Sequence, residues 1–127
     1  MRIAAEQADG CNVPSDVHTL TRKIEVLRRH CEAVGRDPAE VEITVLDVPI
    51  VGRDRDDVAR RVERLRGRTP AGAFAARHHA GLAADHVQRY RELAELGVGT
   101  VFVALPDLVD ADDLTRLAPL LAGSTTD

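Results

Sequence analysis

Polar side chains at the ends of the predicted strands are the first candidates for chemistry. Asn12 lies in a very short extended piece before Pro14, and Asp107 follows Pro106 at the end of a buried apolar run. An amide or a carboxylate in such a place can hydrogen-bond a bound molecule. Each residue also has a structural interpretation, in which Asn12 caps the turn into the next helix and Asp107 stabilises the turn after its proline.

Asp47 is a further polar residue of interest, because it interrupts the otherwise apolar stretch 41–51. A buried carboxylate needs a partner or a raised pKa. We expect Asp47 to point into the interior of a barrel, to mark a bulge in the strand, or to form a salt bridge with an arginine.

The cysteine and histidine side chains support neither nucleophilic catalysis nor a metal site. Cys11 could act as a nucleophile only beside a base, and no feature of the sequence supplies one, so we expect a small buried apolar residue. The adjacent His78 and His79 point in different directions, and Gly81 interrupts any helix that would align His79 with His86. No Cys or Glu stands at ligand spacing. We predict no metal site and a solvent-facing loop for these histidines.

The most highly charged stretch is RDRDDVARRVERLRGR, residues 53–68. Its arginines alternate with carboxylates, and Asp56–Arg60 and Asp57–Arg61 have the spacing of ion pairs along a helix. This pattern is typical of a solvated helix face, and the alternative is a contact with an anion or a subunit.

Composition limits the class of protein. The 127 residues carry a net charge of −4 and few aromatic side chains, which speaks against binding to a nucleic-acid backbone or stacking on bases. No apolar run approaches the length of a membrane helix, and we see no secretory signal. The two cysteines make no disulfide framework. We therefore expect a cytoplasmic protein without nucleic-acid or membrane partners.

Helix and strand signals alternate along the chain. Residues 3–8 read as a helix, and the next helix follows Ser15 or Asp16 and ends at Gly35. A buried strand covers 41–51, with regular pairing expected to fail at Pro49. A helix capped by Asp54 or Asp56 follows, residues 68–83 give no clear signal, and a helix over 84–96 leads to a second buried strand at 100–105. The apolar stripe of the first long helix contains Leu20, Ile24, Leu27, Cys31 and Val34.

The last helix begins at the capping residue Asp110. Its predicted inward residues are Leu114, Leu117 and Leu121. Pro119 is expected to break or kink it.

This alternation predicts a parallel α/β sheet with crossover helices. About three strands, the first very short, make a thin sheet with two unprotected edges, which proteins normally avoid. A complete (β/α)8 barrel needs roughly 250 residues, about twice this length. The fold class predicted is therefore α/β, the C-terminal part of a (β/α)8 TIM barrel with about three parallel strands and flanking helices, incomplete in this chain.

Three segments together carry a resemblance to a known family. RIAAEQADGCNVP, RKIEVLRRHCEAVGRDPAEVEITVL and QRYRELAELGVGTVFVALPD, in this order and spacing, resemble the C-terminal third of the luciferase-like monooxygenases, which are flavin- or deazaflavin-dependent oxidoreductases. The resemblance covers Arg2 to about Ala122 and makes the strands the sixth, seventh and eighth of a barrel. It implies a partial barrel domain over 1–122, and we expect 123–127 to be a disordered tail.

The sequence departs from the family pattern at several places. Gly81-Leu82-Ala83 stands where the family has Gly-Thr-Pro, a place where a cofactor phosphate can be approached, and Cys11 replaces an aromatic residue before Asn12. The first five strands, with a Gly-rich loop and most catalytic positions, are absent from the chain.

The resemblance implies FMN or the deazaflavin coenzyme F420 as cofactor and a small organic substrate, with Asn12 and Asp107 as candidate cofactor contacts. Whether this chain is itself an enzyme stays open, because catalysis would need the missing strands from a complementing N-terminal chain, from an upstream reading frame, or from another copy. The alternative function is a non-catalytic remnant or self-associating interaction module, for which the exposed strand edges predict a homo-oligomer.

Overall fold

The computed structural model describes residues 1–123, in which helices alternate with short strands as predicted. The expected tail at 123–127 lies outside the described residues except for Gly123, the last residue of the final helix. In chain order the elements are α1 Arg2–Gln7, β1 Gly10–Val13, α2 Val17–Val34, a 3-10 turn Pro38–Glu40, β2 Glu42–Asp47, β3 Val51–Gly52, α3 Arg55–Leu65, α4 Ala71–Arg77, β4 Gly81–Leu82, α5 Ala83–Glu95, β5 Val98–Val103 and α6 Ala111–Gly123.

These elements divide between two compact units. The first unit contains Met1–Asp47 and Glu92–Phe102, and the second contains Val48–Arg91 and the described residues from Val103 onward. Each unit has its own sheet, β1-β2-β5 in the first and β3-β4 in the second.

In the first unit β1 pairs in parallel with β2, and β5 lies on the other side of β2. The register joins Gly10 to Glu42 and Val13 to Val45. Side chains alternate along β2, so that Ile43 and Val45 are buried on one face while Glu42 and Leu46 are exposed on the other. The buried apolar residues of this unit are Ala5, Val13, Leu20, Leu27, Cys31, Val41, Ile43, Val45, Leu93 and Val98.

The long helix α2 follows its local sequence signals. Asp16 is its cap and accepts the backbone N–H of Thr19 at 2.8 Å, and Gly35 ends it in the left-handed conformation with φ 72°. The predicted stripe is buried at Leu20, Leu27 and Cys31. Val34, at its end, is instead 46% exposed.

The predicted strand over 41–51 is divided into two. β2 ends at Asp47 and the chain resumes as β3 at Val51, which pairs in parallel with β4 in the second unit. Pro49 lies in the interruption, as expected for a residue that has no N–H to donate.

The stretch 68–83, which has no clear sequence signal, forms α4 and β4. Its alanines have no periodic apolar pattern, and the short strand is specified by its pairing with β3, a contact that periodicity does not encode.

Helix α6 differs from the prediction in two respects. Its buried leucines are Leu117 and Leu120, whereas Leu114 and Leu121 are about half exposed, at 51% and 54%. The buried face also carries Asp113 and Arg116, whose ion pair favours this rotation of the helix over the purely apolar one.

Of the break or kink predicted at Pro119, the break is wrong, because α6 continues to Gly123. A proline removes one helical hydrogen bond, and the packed leucines on either side, Leu117 and Leu120, hold the helix together across it.

Candidate functional site

One face of the sheet in the first unit is largely exposed. It presents Gly10 and Asn12 of β1 beside Glu42, Thr44 and Leu46 of β2, and we call these five residues the open face. Four of the five are exposed, and Thr44 is half-buried. Parallel sheets are ordinarily covered on both faces, so this exposure distinguishes the sheet from an ordinary core.

The predicted cofactor contact Asn12 lies on the open face. Its Nδ2 donates a hydrogen bond to Oγ1 of Thr44 at 3.1 Å, and the two residues are paired in the strand register. The cross-strand bond orients the amide on an exposed surface, where it can meet another molecule. Its role as a cofactor contact stays a prediction.

A second polar pair on this sheet has no sequence signal. Oγ1 of Thr100 donates to Oε1 of Glu42 at 2.5 Å, and a Cβ on Gly99 would lie only 3.0 Å from the same oxygen. The glycine therefore leaves the room that the carboxylate needs. Glu42 begins β2, so the pair lies away from the carboxyl ends of the strands, where TIM barrels carry their chemistry.

Asp107, the other predicted contact, is buried in the second unit among arginines. Its Oδ2 accepts a hydrogen bond from Nη1 of Arg61 at 2.7 Å, and Nη2 of Arg116 is 3.7 Å away. The carboxylate side chain is 1% exposed. Asp107 is therefore positioned by an ion-pair network, and a direct contact with a cofactor stays a prediction.

The network continues through two more carboxylates. Asp57 bonds Nε of Arg61 at 3.0 Å, the helical pair predicted from the sequence. Burial raises the pKa of Asp57, but the N–H of Arg53 and the guanidinium of Arg61 outweigh it and leave that pKa lowered. Burial likewise lowers the pKa of Arg61, and Asp107 and Asp57 overcome that effect and raise it.

Asp113 ties the network to α6. It accepts N–H groups from Val109 and Asp110 and pairs with Arg116 at 3.1 Å. The N–H of Val109, followed by the Arg116 guanidinium, lowers the pKa of Asp113 to about 2. Arg116 also donates to the carbonyl of Val51, which fixes α6 against the start of β3.

The burial of Arg61 corrects the prediction that the segment 53–68 forms a solvated face. Arg61 is 6% exposed, whereas Arg60 and Arg64 on the same helix are exposed. A helical charge pattern gives no sign of which arginine will find a buried carboxylate distant in sequence.

An open depression of about 600 Å³ lies beside this network in the second unit. It is found where β3 and β4 end and α5 begins, a location that parallel sheets commonly use for ligands. Its lining residues are Gly52, Arg53, Leu82, Ala83, Ala84, Asp112, Thr115, Arg116 and Pro119.

The Gly81-Leu82-Ala83 segment forms the entry to α5 at this depression. Asp85 accepts the N–H of Leu82 at 2.8 Å, and a Cβ on Gly81 would come within 2.8 Å of that carboxylate. The glycine is needed for the close approach. Gly81-Leu82-Ala83 therefore retains the glycine of the Gly-Thr-Pro pattern but not its threonine and proline. The start of α5 is stabilised instead by the hydrogen bond from the N–H of Leu82 to Asp85.

Of the three histidines predicted to lie in a solvent-facing loop, His79 is exposed, whereas His78 and His86 are not, and the prediction is wrong for His86. His86 is 1% exposed on α5, with Nε2 3.3 Å from the carbonyl of Ile50. His78 is half-buried, with Nδ1 2.8 Å from the carbonyl of Val48. Both imidazoles contact the chain between β2 and β3, and their role here is structural.

The structure also shows the positions of Asp47 and Cys11, the two remaining residues singled out from the sequence. Asp47 is buried and lies on the same face of β2 as Ile43 and Val45, opposite to the open face. Cys11, predicted to be a buried residue, is only half-buried, with Sγ 3.9 Å from Sδ of Met1.

Residues 1–123 carry neither a metal cluster nor a membrane helix. Within that part of the chain, no group of three or more His, Cys, Asp or Glu side chains could hold a metal ion. None of the helices in the same range combines the length and apolar character that crossing a bilayer requires.

Comparison with solved structures identifies the fold. An F420-dependent secondary alcohol dehydrogenase, solved with an F420–acetone adduct, superposes with a TM-score of 0.75 at 14% identity, over 98% of this chain and 46% of its own. Long-chain alkane monooxygenase (LadA) gives 0.76 at 14% identity, over 95% and 38%. The coenzyme F420-dependent tetrahydromethanopterin reductase of Methanopyrus kandleri gives 0.57 at 16% identity, over 96% and 45%.

These matches confirm the predicted fold class, an α/β arrangement that corresponds to part of a TIM barrel. The chain spans less than half the length of each of these proteins. No protein-family model and no curated protein matches it.

Proposed function

We propose that this chain is the C-terminal part of a flavin- or deazaflavin-dependent oxidoreductase. The observation that carries the proposal is the fold likeness to two F420-dependent enzymes and an alkane monooxygenase over nearly the whole chain. The deazaflavin is the cofactor named for two of these three proteins, and FMN is the alternative expected from the family resemblance.

The depression in the second unit fits the phosphate-bearing end of such a cofactor. Its volume of about 600 Å³ is in the range of cofactor pockets. The first N–H groups of α5 and the Arg53 side chain provide positive potential, which Asp112 and the carboxylate of Asp85 in the first turn of α5 partly offset. Arg116 contributes less, because Asp113 and Asp107 balance its charge.

When bound, the cofactor accepts or donates the hydride that oxidises or reduces a small organic substrate. The chain's own residues have supporting roles. Arg53 and the start of α5 would hold the anionic end, and the buried pair Arg61–Asp107 keeps the loop after β5 in place. Asn12 supplies an oriented amide on the open face.

Cofactor titration tests the proposal. The purified chain is titrated with FMN and with F420, alone and together with an N-terminal barrel segment, while cofactor fluorescence is followed. We expect saturable binding that Arg53→Ala weakens about tenfold, since a charge-assisted hydrogen bond contributes about 1.5 kcal/mol.

Arg29→Ala is the control for Arg53→Ala, because Arg29 is also exposed but pairs with Glu25 on α2. Unchanged fluorescence with both cofactors, in the presence of the N-terminal segment, contradicts the proposal.

The second candidate function is a non-catalytic, self-associating module. It is favoured by the unpaired edges of β1 and β5, each of which has a strand neighbour on one side only within residues 1–123. A stable monomer in light scattering contradicts this alternative.

A further inference from the structure

We propose that Arg116 exchanges between two buried carboxylate partners, Asp113 in the arrangement that the structure shows and Asp107 in a second one, and that this exchange moves the α6 wall of the depression. The inference concerns motion within the second unit and depends on no cofactor. It can therefore fail while the proposed function stands, and the reverse.

Two buried polar atoms of the ion-pair network have no hydrogen-bond partner among residues 1–123. They are Oδ1 of Asp107 and Nε of Arg116, and the side chains that carry them are each 1% exposed. Each such atom costs free energy, because it has left water without gaining a bond in the fold. One atom accepts and the other donates, so a single rearrangement can satisfy both.

The distances show that this rearrangement is short. Nη2 of Arg116 is 3.1 Å from Oδ1 of Asp113, its present partner, and 3.7 Å from Oδ2 of Asp107. A displacement of about 1 Å closes the second distance to that of a charge-assisted hydrogen bond. A guanidinium also presents Nε and one Nη as parallel donors that match the two oxygens of a carboxylate. In that bidentate pair, Nε of Arg116 bonds the unpaired Oδ1 of Asp107.

Each arrangement has bonds that the other lacks. When Arg116 turns to Asp107, Nη2 of Arg61 remains 4.0 Å from Oδ1 of Asp113, so that carboxylate keeps a cation nearby. The present arrangement has instead the bond from Arg116 to the carbonyl of Val51. Two alternative sets of buried polar contacts are the condition for two discrete, populated states.

The exchange acts on the depression through the bond to Val51. Arg116 lines the depression and donates to that carbonyl, so it joins α6 to β3. Turning to Asp107 breaks this bond and releases the helix from the strand. Thr115 of α6 and Gly52 of β3 also line the depression, so its width should change as Arg116 changes partner.

NMR relaxation dispersion detects the exchange without any ligand. The experiment follows Nε of Arg116 and the backbone amides of Gly52 and Thr115, because motion on the microsecond-to-millisecond timescale broadens the signals of all three. We expect one common exchange rate and a minor population of about 0.1–10%. The amide of Leu27, which is buried on α2 in the first unit, should show no dispersion.

Two substitutions shift the equilibrium in known directions. Asp113→Asn removes the charge that holds Arg116, so Arg116 should pair with Asp107, and hydrogen exchange of its Nε–H should slow about tenfold or more. Arg116→Lys keeps the charge but has no pair of parallel donors, so it cannot form the bidentate pair. Dispersion at Gly52 and Thr115 should then disappear.

Asp112→Asn is the matched control for Asp113→Asn. Asp112 is exposed, whereas its neighbour on α6 is buried and paired with Arg116. The control should leave the dispersion and the Nε–H exchange of Arg116 unchanged. Circular dichroism confirms that each variant is folded before its spectra are compared, and the wild-type dispersion decides the proposal where a variant does not fold.

Three results would overturn the proposal. The first is wild-type protein without dispersion at Arg116, Gly52 and Thr115. The second is equal Nε–H exchange in the wild type and in Asp113→Asn. The third is a high-resolution crystal structure in which one ordered water bonds both Oδ1 of Asp107 and Nε of Arg116. A chain that shows the exchange but binds neither FMN nor F420 supports this inference and contradicts the proposed oxidoreductase.

Discussion

Arg61 and Asp107 form a buried ion pair, 2.7 Å from Nη1 to Oδ2, across 46 residues of sequence. Their side chains are 7% and 1% exposed, so water solvates neither charge well. The pair joins α3 to the loop that follows β5, and through Arg116 it reaches α6. One buried carboxylate thus organises three segments of the second unit.

Removing either partner should destabilise this unit strongly. Arg61→Met leaves Asp107 buried without its closest cation, and loss of one partner of a buried pair costs about 3–5 kcal/mol. Urea unfolding followed by circular dichroism measures the change in free energy of unfolding.

Arg64→Ala is the control for Arg61→Met. Arg64 also approaches Asp107, at 4.0 Å, but its side chain is 61% exposed, so we expect a loss below about 1 kcal/mol. Equal losses in the two variants would show that burial of the pair has no energetic consequence.

Acid should destabilise the second unit through Asp113. The N–H of Val109 and the Arg116 guanidinium lower the pKa of Asp113 to about 2, from the value of 3.8 that is usual for an aspartate. The stabilisation is complete above about pH 4 and is lost as the pH falls through about 2, because the unfolded chain binds the proton more readily in that window.

Thermal unfolding between about pH 5 and pH 2 measures this effect. Asp113→Asn should reduce the slope of stability against pH in that range and lower stability at neutral pH. Asp112→Asn, at an exposed neighbouring position of α6, should change the slope less. An unchanged slope in Asp113→Asn contradicts the assignment.

Several elements are predictable because their signals are local. The sequence predicts helix caps at Ser15 or Asp16, at Asp54 or Asp56, and at Asp110. Asp16, Asp54 and Asp110 each accept a backbone N–H at the start of a helix. It also predicts that Gly35 ends α2, and this glycine has the positive φ of a left-handed cap. Capping depends on residues a few positions apart, and a sequence displays those directly.

The candidate site is less predictable because its contacts are distant in sequence. The sequence predicts that Arg61 faces solvent, because its buried partner Asp107 is distant along the chain. It predicts a loop position for His86, because it does not show that the imidazole contacts the carbonyl of Ile50. The register of Asn12 with Thr44 likewise depends on strand pairing. Periodicity reports which residues share a face and cannot report what that face meets.

Gly52 should tolerate no side chain. A Cβ there would lie 2.5 Å from Cγ2 and 2.7 Å from the backbone nitrogen of Val58, which belongs to α3. Gly52→Ala must displace the start of that helix, and overpacking of this kind costs about 1–3 kcal/mol or more. Chemical denaturation measures the loss.

Gly72→Ala is the matched control for Gly52→Ala. Gly72 lies in α4, and a Cβ added there would have nothing within 4 Å, so alanine should stabilise by about 0.5–1 kcal/mol. Destabilisation of equal size at the two positions would contradict the packing of β3 against α3.

The two cysteines should differ in reactivity by their burial. Cys31 is fully buried in the stripe of α2, whereas Cys11 on β1 is half-buried. A disulfide reagent reaches Cys31 only when the helix opens, so an opening free energy of about 3 kcal/mol would slow its labelling about a hundredfold. Cys11→Ser and Cys31→Ser, each leaving one thiol, allow the two rates to be measured separately. Equal rates at the two thiols would mean that α2 is not packed against the sheet of the first unit in solution.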